Sequence, residues 1–169
     1  MLNIRGLKFV RSRFKIRHTQ ATSVNHAGTL KKTVKVCAPP GVVWRRISDI
    51  AGLPAWAAGV KKTTYLSKKR RGVGAVRLIT FEDASRVEEH VTSWKTGESY
   101  TYIATSGLPV RAYVASISIR GVRGGTKITW QSYTSVNMTR KEFAGFLDGM
   151  GSFYDLSLCN LKKLLETKV

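Results

Sequence analysis

A chain of 169 residues with 43% hydrophobic side chains has material for one core and would struggle to fill two. Its apolar runs fall short of the roughly 18 residues a membrane helix needs, and Arg5 and Lys8 break the only apolar stretch near the start, which argues against a secretory signal. Lys and Arg total 29 against 10 Asp and Glu, a net charge of +19, and a field of that size draws in anionic partners while leaving the fold undecided.

No acidic residue occurs before Asp49, and residues 1–28 hold Arg5, Lys8, Arg11, Arg13, Lys15 and Arg17 among Ser, Thr and Asn. Three readings stand for this segment. It is a flexible basic tail, a mitochondrial-type presequence, or an ordered extra strand over 7–16, where Val10, Phe14 and Ile16 are loosely spaced. The domain proper is read as 29–169. The expected compartment is the cytoplasm, or the mitochondrion if residues 1–28 are a presequence.

From Leu30 the pattern sharpens. Leu30, Val34 and Val36 among lysines predict a strand over 30–37, stopped by Ala38-Pro39-Pro40-Gly41. Pro40 opens a short helix over 41–50 carrying Val43, Trp44 and Ile47 on one side. A second short helix over 51–57 spaces Leu53 and Trp56 by three, with Pro54 tolerable in its first turn. Strands are predicted over 60–66, 74–81, 86–94, 99–105, 113–120 and 126–133. Arg77 and Ile79 share one face of the 74–81 strand, and Tyr113, Ala115, Ile117 and Ile119 share one face of 113–120. Gly124-Gly125 makes a tight turn, and Ile128 and Trp130 share a face beyond it.

The period then changes from 2 to 3.6, predicting a helix over 139–167. Thr139 and Glu142 form a capping box. The apolar stripe runs Phe143, Leu147, Met150, Tyr154, Leu158, Leu161, Leu165, widened by Phe146 and Phe153. Gly145, Gly149 and Gly151 are helix-disfavouring residues that stand either for close packing or for room above the helix. Consecutive hairpins and one long helix specify an α+β fold, a curved seven-stranded antiparallel sheet wrapped around the C-terminal helix, with two short helices after the first strand. Side chains on a concave face diverge from a straight helix, which leaves space for a cavity.

These residues carry a resemblance. The segment Val34-Lys-Val-Cys-Ala-Pro-Pro-Gly-Val-Val-Trp44, followed by Asp49 and Trp56, resembles the opening of the START/SRPBCC superfamily of polyketide cyclase/dehydrase-like and lipid-transfer proteins. Gly74-x-Val-Arg77, Glu89-x-Val91, Pro109-x-x-x-Tyr113 and Gly125-Thr-x-x-Thr-Trp130 extend it over 30–166. The resemblance implies a helix-grip fold with a cavity between sheet and helix, Glu89 and Tyr113 facing it, and Arg77 and Trp130 close by. The plant hormone receptors of this superfamily close their cavity with a Ser-Gly-Leu-Pro gate between the third and fourth strands. Here Phe81-Glu-Asp-Ala84 stands at that place, and Ser106-Gly-Leu-Pro109 falls between the fifth and sixth, so hormone reception is not supported.

Candidate chemistry is sparse. Glu89 is the foremost cavity acid, a general acid or base if burial raises its pKa. Against that, it pairs with Arg77 or Arg111, or Glu88 points inward in its place. Aromatic candidates for ligand contact are Trp56, Tyr102, Tyr113, Trp130, Phe146 and Phe153, and core packing explains most of them equally well. His18, His26 and His90 have no metal spacing, so neither a metal site nor a cofactor is expected. Cys37 and Cys159 are read as buried small hydrophobes in preference to a disulfide. Lys68, Lys69, Arg70 and Arg71, after Lys61 and Lys62, form a basic turn that with the basic tail suits an anionic membrane surface. Nucleic acid is not expected, because Tyr65 alone interleaves with these cations. The leading expectation is binding or transport of a small hydrophobic, lipid- or polyketide-like ligand. The alternatives are a cyclase or dehydratase using Glu89 as acid/base, and a membrane-associated quinone or lipid carrier.

Overall fold

The computed structural model of the protein describes residues 24–167, and the 7–16 segment lies outside them. The elements run in the order β1 (Val24–Val36), α1 (Pro40–Ile47), a single 3-10 turn (Leu53–Ala55), β2 (Val60–Tyr65), β3 (Val76–Phe81), β4 (Arg86–Lys95), β5 (Ser99–Ser106), β6 (Ala112–Val122), β7 (Gly125–Met138) and α2 (Arg140–Glu166). One sheet contains every strand, in the order β1-β7-β6-β5-β4-β3-β2 and antiparallel throughout. Strands β2 to β7 form a meander, and β1 closes beside β7 at the far edge. The architecture is the curved α+β sheet with a long C-terminal helix that the pattern specified.

The departures have local causes. Strand β1 begins at Val24, because β7 runs on to Met138 and offers it a partner, Val24 facing Met138 and Gly28 facing Thr134. Residues 24–28 read Val-Asn-His-Ala-Gly, with no large apolar side chain after Val24, so no apolar alternation announces them. The helix predicted over 51–57 is only the 3-10 turn, because Trp56 leaves helical geometry at φ −147° and Gly59 turns the chain toward β2 at φ 67°. Helix α1 stops at Ile47, where the Ser48 amide donates to the Trp44 carbonyl. Cys37 and Cys159 are free and exposed, contrary to the burial expected of them. Cys37 alternates outward next to buried Val36, and Cys159 falls on the outer face of α2.

Curvature comes from irregular pairing. Register shifts interrupt β4 at Glu88/Glu89 and Val91/Ser93, and β2 at Val60/Lys62, each bending its strand. On the concave side Tyr113, Ala115, Ile117 and Ile119 of β6 lie beside Ile128, Trp130, Ser132, Thr134 and Val136 of β7, all buried. The capping box predicted for α2 is present: Thr139 Oγ1 accepts from the Glu142 amide, and the Thr139 amide donates to the Glu142 carboxylate at 2.9 Å. Only the C-terminal half of α2 is packed tightly, through Met150, Tyr154, Leu158 and Leu161. Its N-terminal half rests on β1, where Phe143 stacks on His26 at 5.6 Å and Phe143 and Leu147 border Gly28, but it is lifted from the strands beyond, with Phe143, Phe146 and Leu147 half-buried.

Candidate functional site

Beneath that lifted half of α2 lies a cavity of about 1070 Å³, at the upper end of what small-molecule sites use. Its inner wall comes from the concave face: Arg77 and Ile79 of β3, Val87 and Glu89 of β4, Tyr102 of β5, Tyr113 of β6 and Trp130 of β7. The helix contributes Gly145, Phe146, Gly149, Met150 and Phe153. Two loops frame the mouth, Asp83–Arg86 between β3 and β4 and Gly107–Pro109 between β5 and β6. The loops meet because Gly107 (φ 90°) packs against β4, where a Cβ would come within 1.8 Å of the Arg86 carbonyl oxygen. Ser106-Gly-Leu-Pro109 is thus a mouth loop, at the position between β5 and β6 that its sequence indicated.

The glycine question resolves differently at each position. A Cβ at Gly145 or Gly149 would meet nothing within 4 Å, so these two leave open space above the helix. Gly151 instead lies against β1, its Cβ position 3.8 Å from Leu30 and 3.7 Å from Lys32.

The floor is polar and ordered. Arg77 and Glu89 stand directly opposite on β3 and β4 and are 2% and 7% exposed. Both Nε and Nη2 of Arg77 reach Glu89 Oε2, at 2.8 and 2.6 Å. Nη1 donates to the Ile50 carbonyl at 2.7 Å, and the guanidinium lies 5.1 Å from the Tyr102 ring centre. Every nitrogen of Arg77 is therefore engaged. Among the described residues none donates to Glu89 Oε1, on the cavity wall. Burial pushes the Glu89 carboxyl above its ordinary value, and the Arg77 charge and hydrogen bond oppose that rise. Burial is the largest single influence on Arg77 and acts against its charge, but Glu89, Tyr100 and Tyr102 together outweigh it and raise the guanidinium pKa. Protonating Glu89 would leave a guanidinium buried without a counter-charge, so the two persist as an ion pair. Glu88 points the other way, bonded to His90 at 2.6 Å and partly exposed.

Tyrosines complete the floor. Trp130 Nε1 donates to Tyr102 Oη at 2.9 Å, and the Tyr113 and Tyr154 hydroxyls meet at 2.5 Å. Burial raises Tyr102 and Tyr113 well above their ordinary value and raises Tyr154 as well, which keeps these hydroxyls protonated. Trp130 stacks on Tyr154 at 4.1 Å and meets Phe153 edge-on at 5.6 Å.

Of the residues singled out from sequence, Arg77, Glu89, Tyr102, Tyr113, Trp130, Phe146 and Phe153 stand on the cavity wall. Trp56 is buried one layer behind, edge-on to Trp130 at 5.7 Å. Ile79 and Val87 also line the wall, and their period-two spacing from Arg77 and Glu89 was a usable signal. Phe81, two residues beyond Ile79 on β3, continues that spacing, whereas Leu53 and the mouth loops had no such signal, since no periodicity governs a loop. Among the described residues no three His, Cys, Asp or Glu side chains group as metal ligands do, and no helix is long and apolar enough to cross a membrane.

A concave sheet, a partly lifted helix and a polar floor under aromatic walls define a ligand-binding protein of helix-grip type. Residues 27–166 match the family described as polyketide cyclase / dehydrase and lipid transport, and the chain belongs to that family. No curated protein matches it. Among solved structures it is similar to the protein XoxI from Bacillus cereus (TM-score 0.69, 20% identity, covering 81% of this chain and 94% of that one). An uncharacterized protein from Bacillus thuringiensis is similar at TM-score 0.70 and 20% identity, over 83% of this chain and all of its own. A protein from Nitrosospira multiformis reaches TM-score 0.71 at 17% identity, over 83% and 97%. These likenesses establish the fold.

Proposed function

We propose that this protein binds a lipid- or polyketide-like molecule in the cavity between sheet and α2, with the apolar body against Phe146, Phe153 and Trp130 and a hydrogen-bond donor at the floor. The observation that carries this reading is the Glu89 carboxylate, held on one oxygen by Arg77 and open toward the cavity on the other. Apolar contact supplies affinity, at about 25 cal/mol per Å² removed from water before the costs of association. Glu89 Oε1 then accepts from a hydroxyl or N–H. A ligand carboxylate is disfavoured there, because it would face Glu89 while the nitrogens of Arg77 are already engaged. The net charge of the chain suggests the opposite preference, but a carboxylate at 3 Å outweighs a field averaged over the surface.

Matched pairs test this: a long-chain alcohol against the fatty acid of equal length, and 1-naphthol against 1-naphthoate, followed by native mass spectrometry and thermal shift. The alcohols are expected to bind more tightly and E89Q to erode the preference. Failure of every apolar ligand to bind removes the cavity reading altogether.

One feature favours an enzymatic reading. The same carboxylate beside protonated tyrosine hydroxyls is an arrangement suited to moving a proton in a cyclisation or dehydration. Unchanged turnover in E89Q, on any substrate found, would remove it.

A further inference from the structure

The antiparallel meander sorts the turns between two ends of the molecule. Turns β3–β4 and β5–β6 lie at the mouth, together with the start of α2. Turns β2–β3, β4–β5 and β6–β7 lie at the other end, where β1 also finishes, Val36 facing Thr126. The end of α2 reaches the same place, since Glu166 accepts from the Cys37 amide and Lys162 donates to the Lys35 carbonyl.

Among the described residues charge divides unevenly between these ends. At the mouth Arg86, Arg111, Arg140 and Lys141 are interspersed with Glu82, Asp83, Glu142 and Asp148. At the far end the β2–β3 turn carries Lys68, Lys69, Arg70 and Arg71. Lys35 stands directly opposite Lys127, which stands directly opposite Arg120, with Arg123 in the adjoining turn. Among the described acids there, Glu98 and Glu166 are already paired with Lys95 at 2.6 Å and Lys162 at 3.3 Å, and Asp49 lies near Tyr65, as Arg70 and Arg71 do.

Like charges facing each other across strands disfavour a sheet. Two residues along the same face the corresponding row is Thr33, Thr129 and Ser118, all neutral, so the pairing itself does not require cations. A second observation separates the partners a cationic end would suit. Leu66 and Val73 flank the basic turn and are 51% and 50% exposed. Phosphodiester chains have no use for exposed aliphatic groups, whereas a bilayer takes them into the headgroup boundary while the cations meet anionic headgroups. Tyr65, the nearby ring that would stack on a base, is covered by the Arg70 guanidinium at 5.5 Å.

We propose that this far end is a docking surface for an anionic lipid bilayer, entered by the β2–β3 turn, and that docking leaves the cavity mouth facing away from the membrane. Ligand then passes between the cavity and solution or a soluble partner, not directly through the docked face.

The full chain is tested by co-sedimentation with phosphatidylcholine vesicles with and without phosphatidylserine. Binding is expected only with phosphatidylserine, weakening as salt rises. K68E/K69E/R70E/R71E should weaken it by roughly fivefold or more for each cation removed, and L66S/V73S should weaken it with the charge intact. Circular dichroism and thermal melting confirm that the variants are folded. Orientation is read on a C37S/C159S background with an environment-sensitive dye at Leu66→Cys or Pro109→Cys. The hairpin label should shift to the blue on anionic vesicles and the mouth label should not. Retained binding by the charge-reversed hairpin, a shift of the mouth label in its place, or tighter binding to an RNA oligonucleotide than to anionic vesicles overturns the proposal. None of these readouts depends on the cavity being filled.

Discussion

Arg77 and Glu89 face each other across β3 and β4, both buried. Two charges in that position stabilise little as a pair, because each loses its hydration, but either alone is costly. Arg77→Met is therefore expected to lower stability by about 3–5 kcal/mol in urea unfolding, by stranding the Glu89 carboxylate. The double variant R77M/E89L should recover most of that loss. Equal instability of the two variants would mean the pair is not coupled as its geometry requires. Sequence pattern placed Arg77 with Ile79 and named Glu89, but it left open whether Glu89 or Glu88 turned inward. Pairing between Glu89 and Arg77 was one of the alternatives it carried, and the cross-strand register selects it. The same register puts Glu88 opposite Leu78, on the outer face with His90.

Helix α2 combines a strong start with a loosened first half. Its capping box holds the Glu142 carboxyl below the ordinary glutamate value, through hydrogen bonds from the Thr139 amide and hydroxyl. A depressed carboxyl contributes stability that is full above its unfolded value and lost as pH falls through its folded one. The protection factors of the Thr139 and Glu142 amides, which correct for the slowing of intrinsic exchange in acid, should therefore fall as pH drops below about 4.5, and E142Q should abolish most of that dependence. Glu89 has the opposite sign: with its pKa raised, stability declines as pH rises through the folded value, so global unfolding would blur the effect and a local amide probe is needed. Further along, Gly145 and Gly149 face open space. Replacing either with Ala is expected to stabilise the protein by about 0.5–1 kcal/mol, the helix-propensity difference, in denaturant titration. Gly149→Leu, which fills the cavity, should weaken binding of a long-chain alcohol while leaving the protein folded. The helix and its cap were legible from period and spacing. The glycines could be flagged but not assigned, since packing against Leu30 and opening onto a cavity look alike in a sequence.

At the scale of the whole molecule, the chain spreads the lining of its cavity over strands β3 to β7 and helix α2, and no local motif marks it. Alternation at two residues and then at 3.6 was sufficient for a curved antiparallel sheet gripping a C-terminal helix, because burying one face of each element admits few arrangements. Family membership agrees with that reading across residues 27–166. The C-terminal helix, its apolar stripe, its cap and the inward faces of β6 and β7 follow from the order of side chains, because periodicity and capping act within a few residues. Long-range geometry decided the rest. Only the folded sheet brings Glu89 against Arg77, stacks Trp130 on Tyr154 and leaves Trp56 behind the wall. Only the three-dimensional path gathers Lys35, Arg120, Lys127 and the Lys68–Arg71 turn at the end opposite the mouth, because those residues are distant in sequence and meet through strand register.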